Sequence, residues 1–346
     1  MSEIFRHTCT PRQARGFVTE CLYAGLVPFL QSSPGLGKSS IMRSIARTEG
    51  LQLIDHRLST SAPEDLSGLP RFNEKGFAQF APFADLFPLD GTPMPKGNNG
   101  WLLFLDEFNA ASRNVQAASY KLILDRMVGQ HALHENCVIA AAGNLATDHS
   151  ITNSLSTAMQ SRVVHLEMSV DFNEWLEDVA IPEGYDHRII GFLSQWPAKL
   201  HDFRPDHSEK TFCCPRTWEF MNRLVKDRPI TEANSALYAG TITSGVATEF
   251  VQFVLASSDM VPVKEVLANP MSCRVPHEPA SKWVTISALL DHVSAETFGA
   301  LLDYTGRYDL AFRVLFFRGA LVRQPELRRH PRFAECAAAL TRYLVN

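Results

Sequence analysis

A run of small residues between an apolar stretch and a helical pattern is the first place where this chain could do chemistry. Residues 27–31 predict a strand, glycines at 35 and 37 predict a tight loop, and a helix is expected to begin near Lys38. Backbone N–H groups of such a loop, together with the positive end of the helix dipole, favour a bound phosphate. Lys38 would reach the β- and γ-phosphates of a nucleotide, and the Ser39 hydroxyl would bind Mg²⁺.

The spacing departs at one position from the phosphate-loop pattern G-x-x-x-x-G-K-[ST]. Gly37 occupies the second glycine position, but Ser32 stands where the first glycine is expected. An ordinary glycine-rich turn before a helix is therefore the alternative interpretation of this stretch. The residues that we expect to surround the phosphates are Ser33, Pro34, Gly35, Leu36, Gly37, Lys38, Ser39 and Ser40.

A second apolar run, residues 101–105, ends in the carboxylates Asp106 and Glu107. The run predicts a strand buried on both faces of a parallel sheet, and ligands of such sheets bind at the carboxyl ends of the strands. Asp106 could then hold Mg²⁺, and Glu107 could orient and deprotonate the attacking water. A strand that leads into an exposed turn is the common alternative, and the phosphate loop upstream is what favours the functional interpretation.

Other strands and helices must position these groups. We predict strands over residues 51–58, 137–142 and 163–168, and a helix over residues 39–48. Asn144 follows the fourth strand of this series, where it could contact a γ-phosphate or the attacking water, although after Gly143 it could equally form a turn.

Residues 59–100 are rich in proline and glycine and contain two short alternating runs around Asn73-Glu74-Lys75-Gly76. These runs predict a β-hairpin over residues 69–80.

Composition limits the class of protein. The 346 residues suggest about two domains, and the net charge of −4 does not indicate a general attraction to nucleic acid. No apolar run approaches the ~18 residues of a membrane span, and the amino terminus lacks the apolar core of a signal peptide. Seven cysteines without a C-x-x-C pair argue against a disulfide framework, so we expect a cytoplasmic protein.

The order of these features resembles the AAA+ ATPases, and more narrowly the MoxR-type branch found in phages and bacteria. The resemblance covers roughly residues 10–225. It implies an α/β fold, a P-loop NTPase core with a five-stranded parallel sheet in the order 5-1-4-3-2, followed by an α-helical lid and a helical C-terminal region. The corresponding domains are residues 1–169, residues 170–260 and residues 261–346, the last with no assigned role.

The same resemblance implies roles for single residues. Asn144 corresponds to sensor 1, and Arg162 corresponds to the arginine finger that acts on the ATP of a neighbouring subunit. Arg216 corresponds to sensor 2 on the lid. From the residues alone, Arg162 could be a surface cation after a helix, and Arg216 could pair with Glu219 one turn along. By position only, residues 127–135 match a further hairpin.

The resemblance also implies an activity and partners. It predicts an ATPase with Mg²⁺ that assembles into a hexameric ring and remodels a protein client, often with a von Willebrand factor A-domain protein. The hairpin over residues 69–80 would face the ring pore and could touch that client. The alternatives are a motor that translocates nucleic acid and a nucleotide-gated scaffold with slow turnover.

Overall fold

The computed structural model describes residues 7–83, 85–148 and 153–344, with side chains up to residue 340. The chain divides into two compact units. The first comprises the residues up to Val170 with Arg204–His207, and the second comprises Asp171–Phe203 with the residues from Ser208 onward. The first division falls beside the predicted boundary at residue 169, while a further division near residue 260 stays a prediction.

The first unit is built on a parallel sheet of six strands. The strands of this sheet are β1 (Thr8–Cys9), β2 (Pro28–Ser32), β3 (Leu51–Arg57), β6 (Gly100–Asp106), β9 (Cys137–Asn144) and β10 (Val164–Met168). Their order across the sheet is β1-β10-β2-β9-β6-β3, and every neighbouring pair is parallel.

This order confirms the predicted fold class, because β10, β2, β9, β6 and β3 reproduce the arrangement 5-1-4-3-2. The predicted count of five strands was wrong by one. The additional strand, β1, pairs with β10 over only two residues, which is too short to produce a recognisable alternation in the sequence.

The described part of the first unit also contains two hairpins and five α-helices. The hairpin strands are β4 (Leu69–Phe72) with β5 (Ala78–Ala81), and β7 (Met127–Val128) with β8 (His131–Ala132). The helices are α1 (Pro11–Tyr23), α2 (Lys38–Thr48), α3 (Pro63–Ser67), α4 (Arg113–Leu124) and α5 (Thr157–Gln160). The predicted hairpin over residues 69–80 is therefore confirmed, and a hairpin also forms within residues 127–135.

The sheet is buried on both faces because its strands supply apolar side chains alternately to two cores. In β6, Leu103 and Leu105 belong to one core, whereas Leu102 and Phe104 belong to the other. All seven residues of β6 are buried. This double burial is the reason that the sequence shows a continuous apolar run there, and it holds the carboxyl end of β6 in a fixed place.

The described part of the second unit is helical. Its helices are α6 (Phe172–Trp175), α7 (His187–Gln195), α8 (Pro215–Val225), α9 (Ser235–Ile242), α10 (Ser244–Ala256), α11 (Val263–Ala268), α12 (Pro279–Leu289), α13 (Phe298–Thr305), α14 (Leu310–Arg323) and α15 (Phe333–Leu344). This confirms the predicted helical C-terminal region.

One helix of this unit is buried on most of its surface and is not amphipathic. Helix α12 buries eight of its eleven residues. It packs against α7, where a Cβ on Gly191 would lie 3.2 Å from backbone atoms of Trp283 and Val284. A helix that is buried on all sides has no polar face, so its sequence does not show the 3.6-residue alternation of apolar and polar positions.

Among the described helices, none combines the length and the apolar character needed to cross a membrane.

Candidate functional site

The phosphate-loop stretch folds as a strand, a loop and a helix. Strand β2 ends at Ser32, and α2 begins at Lys38 after a five-residue loop. Gly35 and Gly37 have φ of 80° and 88°, a left-handed conformation that glycine adopts without steric cost. Gly37 is the N-cap of α2, and within the described residues no side chain caps this helix. The first N–H groups of α2 are thus available to an anion.

The other residues predicted to surround the phosphates differ in their burial. Leu36 is buried in the core beneath the sheet and offers only its backbone to the loop, and Ser33 and Pro34 are half-buried. Ser39 is half-buried, whereas Ser40 is exposed on the first turn of α2. The predicted phosphate-binding residues thus form one continuous loop and helix start.

Lys38 connects the loop to the neighbouring strand. Its Nζ donates to the Ser32 carbonyl at 3.0 Å, to Ser32 Oγ at 3.1 Å and to Asn144 Oδ1 at 2.9 Å. Ser32 and Asn144 are paired across β2 and β9. Ser32 is fully buried, so the residue that replaces the expected glycine is part of the surroundings of Lys38.

The two predicted Mg²⁺ ligands meet in the structure. Ser39 Oγ donates to Asp106 Oδ2 at 3.1 Å. Adjacent oxygen ligands of an octahedral Mg²⁺, at ~2.1 Å from the ion, lie about 3 Å apart, so this pair of oxygens fits the ion. Neither residue belongs to a larger cluster, because the described residues contain no group of three or more His, Cys, Asp or Glu side chains suited to a metal.

Glu107 lies at the same edge in a strained conformation. Its φ of 55° is in the left-handed region, which is unusual for a residue with a side chain and typical of functional sites. The Glu107 carboxylate accepts a hydrogen bond from Ser59 and lies 3.7 Å from Arg57 Nε. Ser59 and Arg57 were not identified from the sequence, because Arg57 is the last residue of β3, Ser59 lies in the short turn after it, and no local pattern links either residue to Glu107.

The carboxyl of Asp55 is repelled by the carboxylates at this edge of the sheet. Partial burial raises the pKa of its carboxyl, and repulsion from Asp106 raises it further, while Arg57 and Arg43 act in the opposite direction. A cation that binds near Asp106 would therefore relieve an existing repulsion.

The backbone of Asn144 is hydrogen-bonded by Asn109, a residue that was not identified from the sequence. Asn109 Nδ2 donates to the Asn144 carbonyl at 2.7 Å, and the Asn144 N–H donates to Asn109 Oδ1 at 3.2 Å. Asn144 is the last residue of β9, and so the alternative that it merely forms a turn after Gly143 is wrong. No periodicity marks Asn109, whose only sequence signal is an amide two residues after Glu107.

Arg162 lies away from these residues. It precedes β10, whose first residue Val164 pairs with Pro28 at the start of β2, whereas the phosphate loop follows the end of β2. The two positions are separated by the length of a five-residue strand, roughly 15 Å. Arg162 is exposed, and its Nη1 donates to the Ala158 carbonyl at 2.6 Å, which fits a cation at a helix end.

Arg216 lies in the second unit, in the first turn of α8, and is exposed. The alternative partner proposed for it, Glu219, is instead bound by Arg223 one turn further along. Its role as sensor 2 stays a prediction.

The hairpin of β4 and β5 presents aromatic side chains to solvent. Phe72 and Phe77 are 79% and 68% exposed, and Leu69 and Phe80 are also exposed. Asn73 Oδ1 accepts the Phe77 N–H at 3.1 Å, which fixes the turn. An exposed apolar tip on an ordered hairpin is a feature of binding surfaces.

The sequence matches no protein-family model and no curated protein. Among solved structures, the chain is similar to the Thermotoga maritima RuvB Holliday junction branch migration motor, with 15% identity, a TM-score of 0.37, and coverage of 76% of this chain and 75% of that chain. It is also similar to Brucella abortus NtrX in complex with ADP, with 15% identity, a TM-score of 0.34, and coverage of 96% and 67%. At these values neither similarity carries an inference about family or function. The strand order and the site geometry must therefore support any functional assignment.

Proposed function

We propose that this protein is an ATPase of the AAA+ class. The observation that carries the proposal is the convergence of Lys38, Ser39, Asp106 and Asn144 at the carboxyl edge of the sheet, next to a loop with two left-handed glycines. This arrangement offers backbone donors and an ammonium group to phosphates, and two oxygens to Mg²⁺.

The proposed mechanism assigns each group a distinct task. The loop and Lys38 bind the β- and γ-phosphates, while Ser39 and Asp106 would hold Mg²⁺, which neutralises developing charge when bound. Glu107 takes a proton from the attacking water, and its carboxylate has acceptor sites for this besides the one that receives the Ser59 hydrogen bond. Asn144 orients the water or the γ-phosphate.

Arg162 is proposed to act on a nucleotide bound by a second copy of the chain. Its place at the opposite edge of the sheet prevents contact with its own phosphate loop, since a side chain cannot span a strand length of roughly 15 Å. An arginine supplied by a neighbour can accelerate phosphoryl transfer about 10³–10⁵-fold. The proposed assembly is a hexameric ring, and in it Arg216 would contact the nucleotide as sensor 2.

The proposed client is a protein, and a von Willebrand factor A-domain protein is the proposed partner. The support for a protein client is the exposed apolar hairpin tip, because residues 69–80 include the exposed Phe72 and Phe77 and three charged residues, Arg71, Glu74 and Lys75. The A-domain partner is proposed from the resemblance to the MoxR-type branch. Nucleic acid would require a more basic surface. The MoxR-type assignment depends on this reasoning and on the order of the motifs.

The test is steady-state hydrolysis of Mg-ATP per subunit over a wide range of protein concentration, with mass photometry of the same samples. We expect specific activity to rise as rings form. Glu107→Gln should bind ATP and assemble without hydrolysis, and full activity of this variant would remove the assignment of the base.

Mixing experiments test the role of Arg162. Arg162→Ala should bind nucleotide normally, and its addition to wild-type protein should reduce activity through shared interfaces. The matched control is Arg47→Ala, which removes another exposed arginine near a helix end. Activity that stays constant in a monomer would refute the action of Arg162 on a neighbour.

A further inference from the structure

Asn109 is a buried amide that belongs to no motif of the site. It is 5% exposed and lies two residues after Glu107, within the short turn Phe108–Ala110 that follows β6. Both polar atoms of its side chain are bonded to the backbone of one residue, Asn144, at 2.7 and 3.2 Å. A two-point contact of this kind fixes both the position and the direction of the peptide that it holds.

Gly143 provides the space for this contact. A Cβ at position 143 would lie 2.1 Å from Asn109 Oδ1 and 2.7 Å from Asn109 Cγ. Gly143 lies within β9, and its φ is not in the left-handed region. Close approach of Asn109, and not backbone conformation, is therefore what requires glycine at this position.

The contact connects the two halves of the site. On one side, Asn109 belongs to the segment that begins at Glu107, and its own carbonyl accepts the Asn153 N–H at 2.6 Å. On the other side, the Asn144 side chain accepts the hydrogen bond from Lys38 at 2.9 Å. Asn109 thus sets the distance between the segment carrying Glu107 and the strand end that faces Lys38.

We infer that Asn109 is a positioning residue that holds Asn144 in register with Glu107 for hydrolysis. The inference rests on the proposed function. Nucleotide binding is proposed to depend on the phosphate loop, whereas the hydrogen bonds described for Asn109 reach Asn144 and Asn153. Loss of Asn109 should therefore reduce turnover far more than affinity. A displacement of about 1 Å in a catalytic arrangement can cost about 100-fold in rate.

The first experiment compares Asn109→Ala with a matched control, Gln116→Ala. Gln116 is also a buried amide, and its Nε2 donates to the Ala111 carbonyl at 3.3 Å, but it does not touch Asn144. We expect kcat of Asn109→Ala to fall about 10- to 100-fold, with the Kd for ADP changed less than about threefold. Gln116→Ala should lose a similar amount of thermal stability and keep its kcat.

The second experiment uses pH and does not depend on tolerance of the alanine. Asn109→Asp keeps the acceptor for the Asn144 N–H but places a carboxylate oxygen against the Asn144 carbonyl. Burial raises the pKa of such a carboxyl, and the protonated acid can donate to that carbonyl again. The ratio of variant to wild-type kcat should therefore rise as the pH falls from 8 to 6. Gln116→Glu should show no such rise.

The outcomes separate this inference from the proposed function. Wild-type protein that binds ATP but does not hydrolyse it would refute the proposed function and the inference with it. If the wild type hydrolyses ATP while the Asn109 and Gln116 variants lose kcat equally, or if the pH ratio of Asn109→Asp is flat, the inference alone is overturned.

Discussion

Gly143→Ala tests the packing of the site most directly, because the affected atoms are known. The new Cβ would lie 2.1 Å from Asn109 Oδ1 and 3.1 Å from Phe29 Cε2. Asn109 must then leave its place or β9 must shift. Overpacking of this kind costs about 1–3 kcal/mol, and the loss of the partner of the Asn144 N–H adds about 1–3 kcal/mol. We therefore expect the free energy of unfolding of the first unit to fall by about 3 kcal/mol.

A double-mutant cycle identifies the cause. In an Asn109→Ala background the clashing Oδ1 and Cγ are absent, and the contact with Phe29 Cε2 at 3.1 Å remains. Gly143→Ala should then cost about 1 kcal/mol or less, which gives a coupling energy of about 2 kcal/mol between the two positions. The control is Gly16→Ala at an exposed position of α1, where a Cβ meets nothing within 4 Å and should stabilise the helix by about 0.5–1 kcal/mol.

The assay is urea unfolding followed by fluorine NMR of protein labelled with 5-fluorotryptophan. Trp101 is the only one of the five tryptophans in the first unit, and it is buried in β6. Its resonance therefore reports that unit alone. If the costs of Gly143→Ala and Asn109→Ala add within about 0.5 kcal/mol, the two residues are not coupled and the reasoning about Gly143 is refuted.

Two further predictions concern pH and the hairpin. Burial lowers the pKa of His56, so the unfolded chain binds the proton more readily, and the first unit should lose stability as the pH falls from 7 to 5. His56→Gln should weaken this pH dependence of the free energy of unfolding, measured in urea. A pH dependence that is the same in this variant would contradict the assignment to His56. Replacing the exposed Phe72 and Phe77 by serine should change the free energy of unfolding by no more than about 0.5 kcal/mol and should increase solubility. The control, Phe29→Ala in the core, should cost about 3–5 kcal/mol. A large loss of stability in the hairpin variant would show that the hairpin tip is packed against other residues.

Much of the fold could be predicted because the parallel sheet is buried on both faces. Continuous apolar runs such as residues 101–105 arise from that burial, and their order along the chain, together with the resemblance, indicated the strand order. Strand β1 could not be found in this way, since two paired residues leave no pattern. Helix α12 could not be recognised as central, because burial on all sides removes the alternation of polar and apolar positions.

In the candidate site, too, local sequence patterns predicted some features, and other features depend on contacts between distant parts of the chain. The sequence by itself determined the groups that depend on local spacing: the loop from Ser33 to Ser40 and the carboxylates that end β6, because adjacent residues at the end of a strand or the start of a helix must lie together. Only the tertiary structure decided that Lys38 bonds to Asn144, that Ser59 binds Glu107, and that Asn109 holds Asn144. These contacts join residues 35 to 106 positions apart in the chain, and no local periodicity encodes a hydrogen bond between elements so far apart in sequence.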